Sequence, residues 1–171
     1  PSIVSVTGES GTGKSLLAFS ILSKEYLYNA YKEYKTFSLN GVNISNVPSS
    51  DFAYIPQEPL SSLNPTINIK KHFEFNNNDL LQKDLTDHSR SLLSEVGFSA
   101  NEEILIKYPH ELSGGMAQRV LIALALQNNP KILIADEATS SLDAVNEKNI
   151  LDLLKRISDS RELTTMLITH D

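Results

Sequence analysis

The chain has 171 residues, 15 Lys+Arg against 21 Asp+Glu for a formal charge of −6, 40% hydrophobic residues and no cysteine. That length suits one globular domain, the apolar content exceeds what a disordered chain carries, and zero cysteines exclude disulfide frameworks, thiolate metal sites and cysteine nucleophiles. The longest wholly apolar run, Val120 to Leu126, is seven residues, against the roughly 20 that a membrane-crossing helix needs. The basic residues are scattered, which does not favour nucleic acid as a partner.

Taken in chain order, Ile3 to Val6 is a short β-branched run. Gly8, Gly11 and Gly13 follow, then an apolar helical pattern from Leu16 to Leu22. A strand, a Gly-rich loop and a helix are predicted. Tyr26, Tyr28, Tyr31 and Tyr34 read as one packed face at near-helical spacing. Asn40-Gly41 predicts a turn, Phe52 to Ile55 a second buried strand, and Pro56 and Pro59 its end. From Pro65 to about Asn128 the character is mostly helical, with a loop at Asn76 to Asn78. Leu92, Leu93 and Val96 recur at helical spacing until Gly97 stops that helix, and Ala117 to Leu126 makes another. Lys131 to Ala135 predicts a strand, Val145 to Ile157 an amphipathic helix with Ile150, Leu153, Leu154 and Ile157 inward, and Thr164 to Thr169 a last strand. Strands alternating with helices at both ends predict an α/β fold with a mainly parallel sheet flanked by helices.

Gly8-Glu9-Ser10-Gly11-Thr12-Gly13-Lys14-Ser15 fits the P-loop pattern G-x-x-x-x-G-K-S in its required strand, loop and helix context. Glycines let backbone N–H groups turn inward around a phosphate, and the helix start adds its positive end. Lys14 supplies a charge for β/γ-phosphates and Ser15 a hydroxyl for Mg²⁺. Lys131 to Glu137 is an apolar strand ending in two adjacent carboxylates, and ligands of α/β sheets sit at the carboxyl ends of strands. Beside the phosphate loop, Asp136 is placed to hold the Mg²⁺ shell and Glu137 to polarise a water facing the γ-phosphate; standing alone, the pair could equally be a solvated acidic turn. Gln57 can bring a side-chain oxygen to the metal or the water, or be a polar loop residue. His170 can contact the γ-phosphate or be structural. His72, His88 and His110 show no metal-ligand spacing.

Leu112-Ser113-Gly114-Gly115-Met116-Ala117-Gln118-Arg119 resembles the L-S-G-G-Q signature of ATP-binding cassette (ABC) ATPases, ahead of a helix and the Walker B strand. Other positions match that family in order. Gln57 falls at the Q-loop, Ser140-Ser141-Leu142-Asp143 looks like the D-loop, and His170 falls at the switch histidine. The segments from Ile55 to Pro65 and from Tyr108 to Met116 are similar to the oligopeptide, dipeptide and nickel importer ATPases, a group in which Met116 also fits. Ala138, where Pro commonly follows the glutamate, and Ala117, where this group often has Arg, depart from the pattern.

The resemblance implies a P-loop NTPase domain across residues 1–171, trimmed at both ends, with a core at 1–58 and 129–171 and an inserted helical subdomain at 59–128. It implies hydrolysis of ATP with Mg²⁺. Glu137, His170 and Gln57 would be catalytic, residues 8–15 would bind the phosphates, and Ser15, Gln57 and Asp136 would face the metal. Ser113, Gly114, Gly115 and Asp143 would complete the nucleotide site from a second ATPase subunit, identical or paralogous, in a head-to-tail dimer. Transmembrane permease subunits and an extracytoplasmic solute-binding protein would be further partners. The expected place is peripheral, on the cytoplasmic face of the membrane. The expected function is to energise a bacterial importer of peptides, nickel or related solutes. A soluble ABC ATPase of translation or DNA repair is the alternative; the absence of a basic stripe and of a long coiled-coil insertion weighs against it. A non-catalytic module holding ATP as a structural ligand is opposed by the intact Lys14, Ser15, Gln57, Asp136, Glu137 and His170.

Overall fold

The computed structural model describes residues 2–9, 11–22, 38–39, 42–43, 47–76, 82–99, 103–140 and 142–170. Ser10, Ser141, the tyrosines 26 to 34, the Asn40-Gly41 turn and Asn77-Asn78 lie outside them. The chain runs β1 (Ser2–Thr7), α1 (Lys14–Leu22), β2 (Ser38–Leu39), β3 (Val42–Asn43), β4 (Phe52–Ile55), α2 (Pro59–Ser62), α3 (Ile69–Asn76), α4 (Gln82–Glu95), α5 (Gly114–Leu126), β5 (Ile132–Asp136), α6 (Ala144–Ser160) and β6 (Thr164–Thr169). Strands β2 and β3 pair antiparallel on either side of the expected turn. The other four strands form one parallel sheet in the order β1-β6-β5-β4.

Alternation along the strands divides the core between the two faces of that sheet. Ile132 and Ile134 of β5 and Ile168 of β6 pack with Ala18 of α1. Leu133 and Ala135 point the other way, into the larger cluster that contains Ala117, Val120 and Ile122 of α5 and Ile150, Leu153, Leu154 and Ile157 of α6. Strand β5 is buried along its whole length, which is why it reads as an unbroken apolar run. Helices α2 and α4 pack on α5, and α3 on α4, with Leu63, Ile69, Phe73, Leu92 and Leu93 joining the α5 side of the core.

Helix ends differ from the sequence reading where caps act. Pro59 ends the extended segment, yet it also opens α2 at a first-turn position, where its missing N–H costs nothing. Asn76 closes α3 instead of belonging to a loop. Helix α5 begins three residues ahead of its apolar run because Ser113 caps it, accepting from the Met116 N–H. Gly97, at φ +97°, turns the chain beyond α4 as expected.

Three arginines converge on the C-terminal end of α4, where carbonyls and the helix dipole favour cations. Arg119 Nη1 donates to the Val96 carbonyl and Arg156 Nη2 to the Glu95 carbonyl at 2.9 Å. Arg161, just past α6, grips the Glu95 carboxylate through Nε at 2.7 Å and through Nη2. Its Nη1 also reaches Asn129 Oδ1 at 3.1 Å. Both charged side chains are about three-quarters covered, so the pair is less screened than a surface bridge. Arg161→Ala, which leaves Glu95 unpaired at a negative helix end, is expected to cost about 2 kcal/mol in urea unfolding. Arg161→Lys should recover less than half of that loss, because one ammonium cannot reproduce the two-point fork.

Candidate functional site

Register places four strand ends side by side. Thr7 lies opposite Thr169, Asp136 opposite Ile168, and Ile55 opposite Ala135. The residues that follow, Gly8, His170, Glu137 and Gln57, therefore emerge along one edge of the sheet, the edge at which α/β folds take ligands.

At the β1 end the loop closes on itself. Thr12 Oγ1 donates to the Glu9 carbonyl at 2.8 Å. Gly11 and Gly13 stand at φ +81° and +93°, which side chains rarely adopt and which turns the chain sharply into α1. Lys14 is 9% exposed, and its ammonium donates to the Gly8 carbonyl at 2.7 Å and the Glu9 carbonyl at 2.9 Å. A cation is thus held over the cradle. Ser15 sits exposed in the first turn of α1, where free N–H groups and the helix dipole favour an anion.

Two strands away, Glu137 has left-handed backbone at φ +46°, uncommon for a residue with a side chain and frequent at active sites. Its N–H donates to the Ile168 carbonyl at 2.9 Å, which continues the β5–β6 ladder and fixes where the side chain leaves. Gln57 Nε2 donates to Glu137 Oε2 at 2.9 Å, and His170 Nδ1 lies 3.6 Å from the same oxygen. The structure brings together these three sequence-predicted residues. The Gln57 amide also lies 3.4 Å from Ser140 Oγ.

Asp136, the last residue of β5, is 5% exposed. Its Oδ2 accepts from the Tyr54 hydroxyl at 3.1 Å, while Oδ1 is buried with no hydrogen-bond partner among the described residues. A desolvated, unpartnered carboxylate oxygen is costly unless something positive meets it. Mg²⁺ takes hard oxygen donors, and the Asp136 carboxylate, the Ser15 hydroxyl and the Gln57 side-chain oxygen are each of that type. The residues fit that ion. Burial first, then the adjacent Asp136 charge and the hydrogen bond to it, push the Tyr54 phenol well above its ordinary value. Tyr54 therefore stays a neutral donor.

The Ser113 end of α5 and the Asp143 end of α6 lie together: a Cβ on Gly114 would meet Leu142 at 3.7 Å, and one on Gly115 would meet Asn146 at 3.6 Å. Asp143 Oδ1 accepts from the N–H groups of Val145 and Asn146 at 3.1 and 3.0 Å, and Asn146 Nδ2 donates to Oδ2 at 2.6 Å. These bonds, those to Asn146 foremost, hold the carboxyl below its ordinary range. The histidines set aside by the sequence reading have structural work: His72 Nε2 accepts from the Asn64 N–H at 2.9 Å and its Nδ1 pairs with the Asn68 carbonyl at 2.9 Å. Among the described residues no cluster of three or more His, Asp or Glu could hold a metal.

A profile of the ABC transporter family matches residues 2–140. The chain belongs to that family. It is 36% identical over 179 residues to the oligopeptide transport ATP-binding protein AppD of Bacillus subtilis, an alignment covering 98% of this chain and 55% of AppD. The chain thus spans about half the length of the curated relatives it matches. Among solved structures, cbiO1 from Clostridium perfringens, part of the ABC transporter complex cbiONQ, superposes with a TM-score of 0.79 at 24% identity, over 99% of this chain and 67% of that one. The ATP-binding cassette MJ0796, a dimer in a post-hydrolysis state bound to ADP and Pi, superposes with a TM-score of 0.74 at 25% identity, over 99% of this chain and 75% of that one.

Within this ABC domain the sequence reading missed Tyr54. A hydroxyl in an otherwise apolar strand is the only signal available for it. Its partner was invisible, because Tyr54 reaches Asp136 through the β4–β5 register, which sets it opposite Ile134 and one step short of Asp136 on the same face.

Proposed function

We propose that this chain is the ATP-hydrolysing part of a bacterial peptide importer. The observation that carries the reading is the convergence of the phosphate loop, Asp136, Glu137, Gln57 and His170 on one sheet edge. The loop N–H groups, the α1 N-terminus and Lys14 would hold the phosphates. Ser15, Asp136 Oδ1 and Gln57 would hold Mg²⁺, which when bound offsets phosphate charge. Glu137 would orient the attacking water and accept its proton as the water oxygen bonds to the γ-phosphorus and the β–γ bridging oxygen leaves with ADP. His170, on the neighbouring strand, would contact the γ-phosphate, and Gln57 would report its presence to the segment after Pro59.

Helices α1 and α5 cover opposite faces of the sheet, so the phosphate loop and the Ser113 end face different surroundings. That supports a head-to-tail pair in which Ser113, Gly114, Gly115 and Asp143 of one copy close over the nucleotide of the other. We read residues 1–58 and 129–171 as the nucleotide core and 59–128 as a helical subdomain that docks permease subunits. No helix among the described residues is long and apolar enough to cross a membrane, which suits peripheral attachment through such subunits. AppD's transport of oligopeptides favours peptide as the cargo. Phosphate release from ATP by the purified protein, with and without Mg²⁺, tests the chemistry; release that Mg²⁺ fails to stimulate would refute it. Loss of labelled oligopeptide uptake in cells carrying Glu137→Gln at this locus tests the transport role.

A further inference from the structure

We infer that Tyr54 is a positioning residue for Asp136, its hydroxyl occupying Oδ2 so that Oδ1 alone is presented to the divalent cation. The inference rests on the proposed role of Asp136 toward Mg²⁺. The backbone of Asp136 is fixed by its ladder position, but rotation about its last side-chain bond would turn the carboxylate plane and re-aim the oxygen offered to the ion. The hydrogen bond at 3.1 Å restrains that plane, and the other, buried oxygen, Oδ1, has no partner among the described residues. A neutral phenol suits the task better than a cation, since it orients the carboxylate without cancelling the charge that attracts the metal. Such outer-shell donors fix a ligand's orientation before the ion arrives.

The ring of Tyr54 is itself held. It lies on the α1 face of the sheet with Ala18, Ile132 and Ile134, and its centroid is 5.5 Å from that of Phe19, at a tilt of 45°. Phe19 belongs to the helix that the phosphate loop opens. One aromatic contact and one hydrogen bond therefore connect that helix, the Gln57 strand and the carboxylate. The Tyr54 hydroxyl acts through the Asp136 carboxylate, so its effect should appear in metal-dependent binding.

The test titrates the full chain calorimetrically with a non-hydrolysable ATP analogue, once in excess Mg²⁺ and once in EDTA. Tyr54→Phe keeps the ring and the Phe19 contact and removes only the hydroxyl. Relative to the parent it should bind about tenfold more weakly in Mg²⁺ and equally in EDTA. Tyr54→Met, a second filling without a hydroxyl, should behave the same way. On an Asp136→Asn background, Tyr54→Phe should change nothing further. Equal binding by Tyr54→Phe and the parent in Mg²⁺ would overturn the inference, and so would a loss of the same size in EDTA. A parent whose own binding ignores Mg²⁺ would instead refute the role of Asp136, and this inference with it.

Discussion

Glu137→Gln is expected to bind nucleotide as tightly as the parent and to hydrolyse it about 10²–10⁴-fold more slowly, the usual contribution of a positioned general base. The substitution keeps the shape of the side chain and the Ile168 tether, and removes the charge and the capacity to take a proton. The surroundings argue for a base held ready: Glu137 is in left-handed backbone, its side chain is 19% exposed, and its Oε2 meets both the Gln57 amide and His170. If Gln57 merely placed Glu137, Gln57→Ala should slow turnover less than Glu137→Gln does. Phosphate release under single-turnover conditions separates the chemical step from product release. Unchanged turnover in Glu137→Gln would remove it from the mechanism.

Lys14→Ala is expected to weaken nucleotide binding itself, by about 100-fold, the scale on which truncating one partner of a buried, charge-bearing contact acts. Two losses combine. On the proposed reading the phosphates would lose a cation, and the carbonyls of Gly8 and Glu9 lose the donor that now closes the loop over them. Lys14→Arg should rescue little, because a planar fork on a stem that is 9% exposed has no room to present both arms. Equilibrium titration with ATP in the presence of Mg²⁺ measures both variants, and an affinity equal to the parent's would exclude Lys14 from phosphate binding.

The sequence by itself determined the apolar strands, the two polar loops that follow β1 and β5, and the motif that placed them in a family. Local physics is enough for that. A short, unbroken apolar run such as Ile132 to Ala135, starting just after Pro130, suits a doubly buried strand, and Gly11 and Gly13 before Lys14 permit a loop that few other sequences allow. What the tertiary structure decided was adjacency. The order β1-β6-β5-β4 inserts β6 between the phosphate loop and the carboxylates, and so delivers His170 to Glu137. No spacing along the chain encodes this. The same holds for Tyr54 and Asp136, 82 positions apart, and for Arg161 and Glu95, 66 apart. The first pair exists because burying both faces of one parallel sheet leaves a single register in which its apolar residues point inward, and that register carries the polar residues with it; the second exists because α4 and α6 both pack against α5.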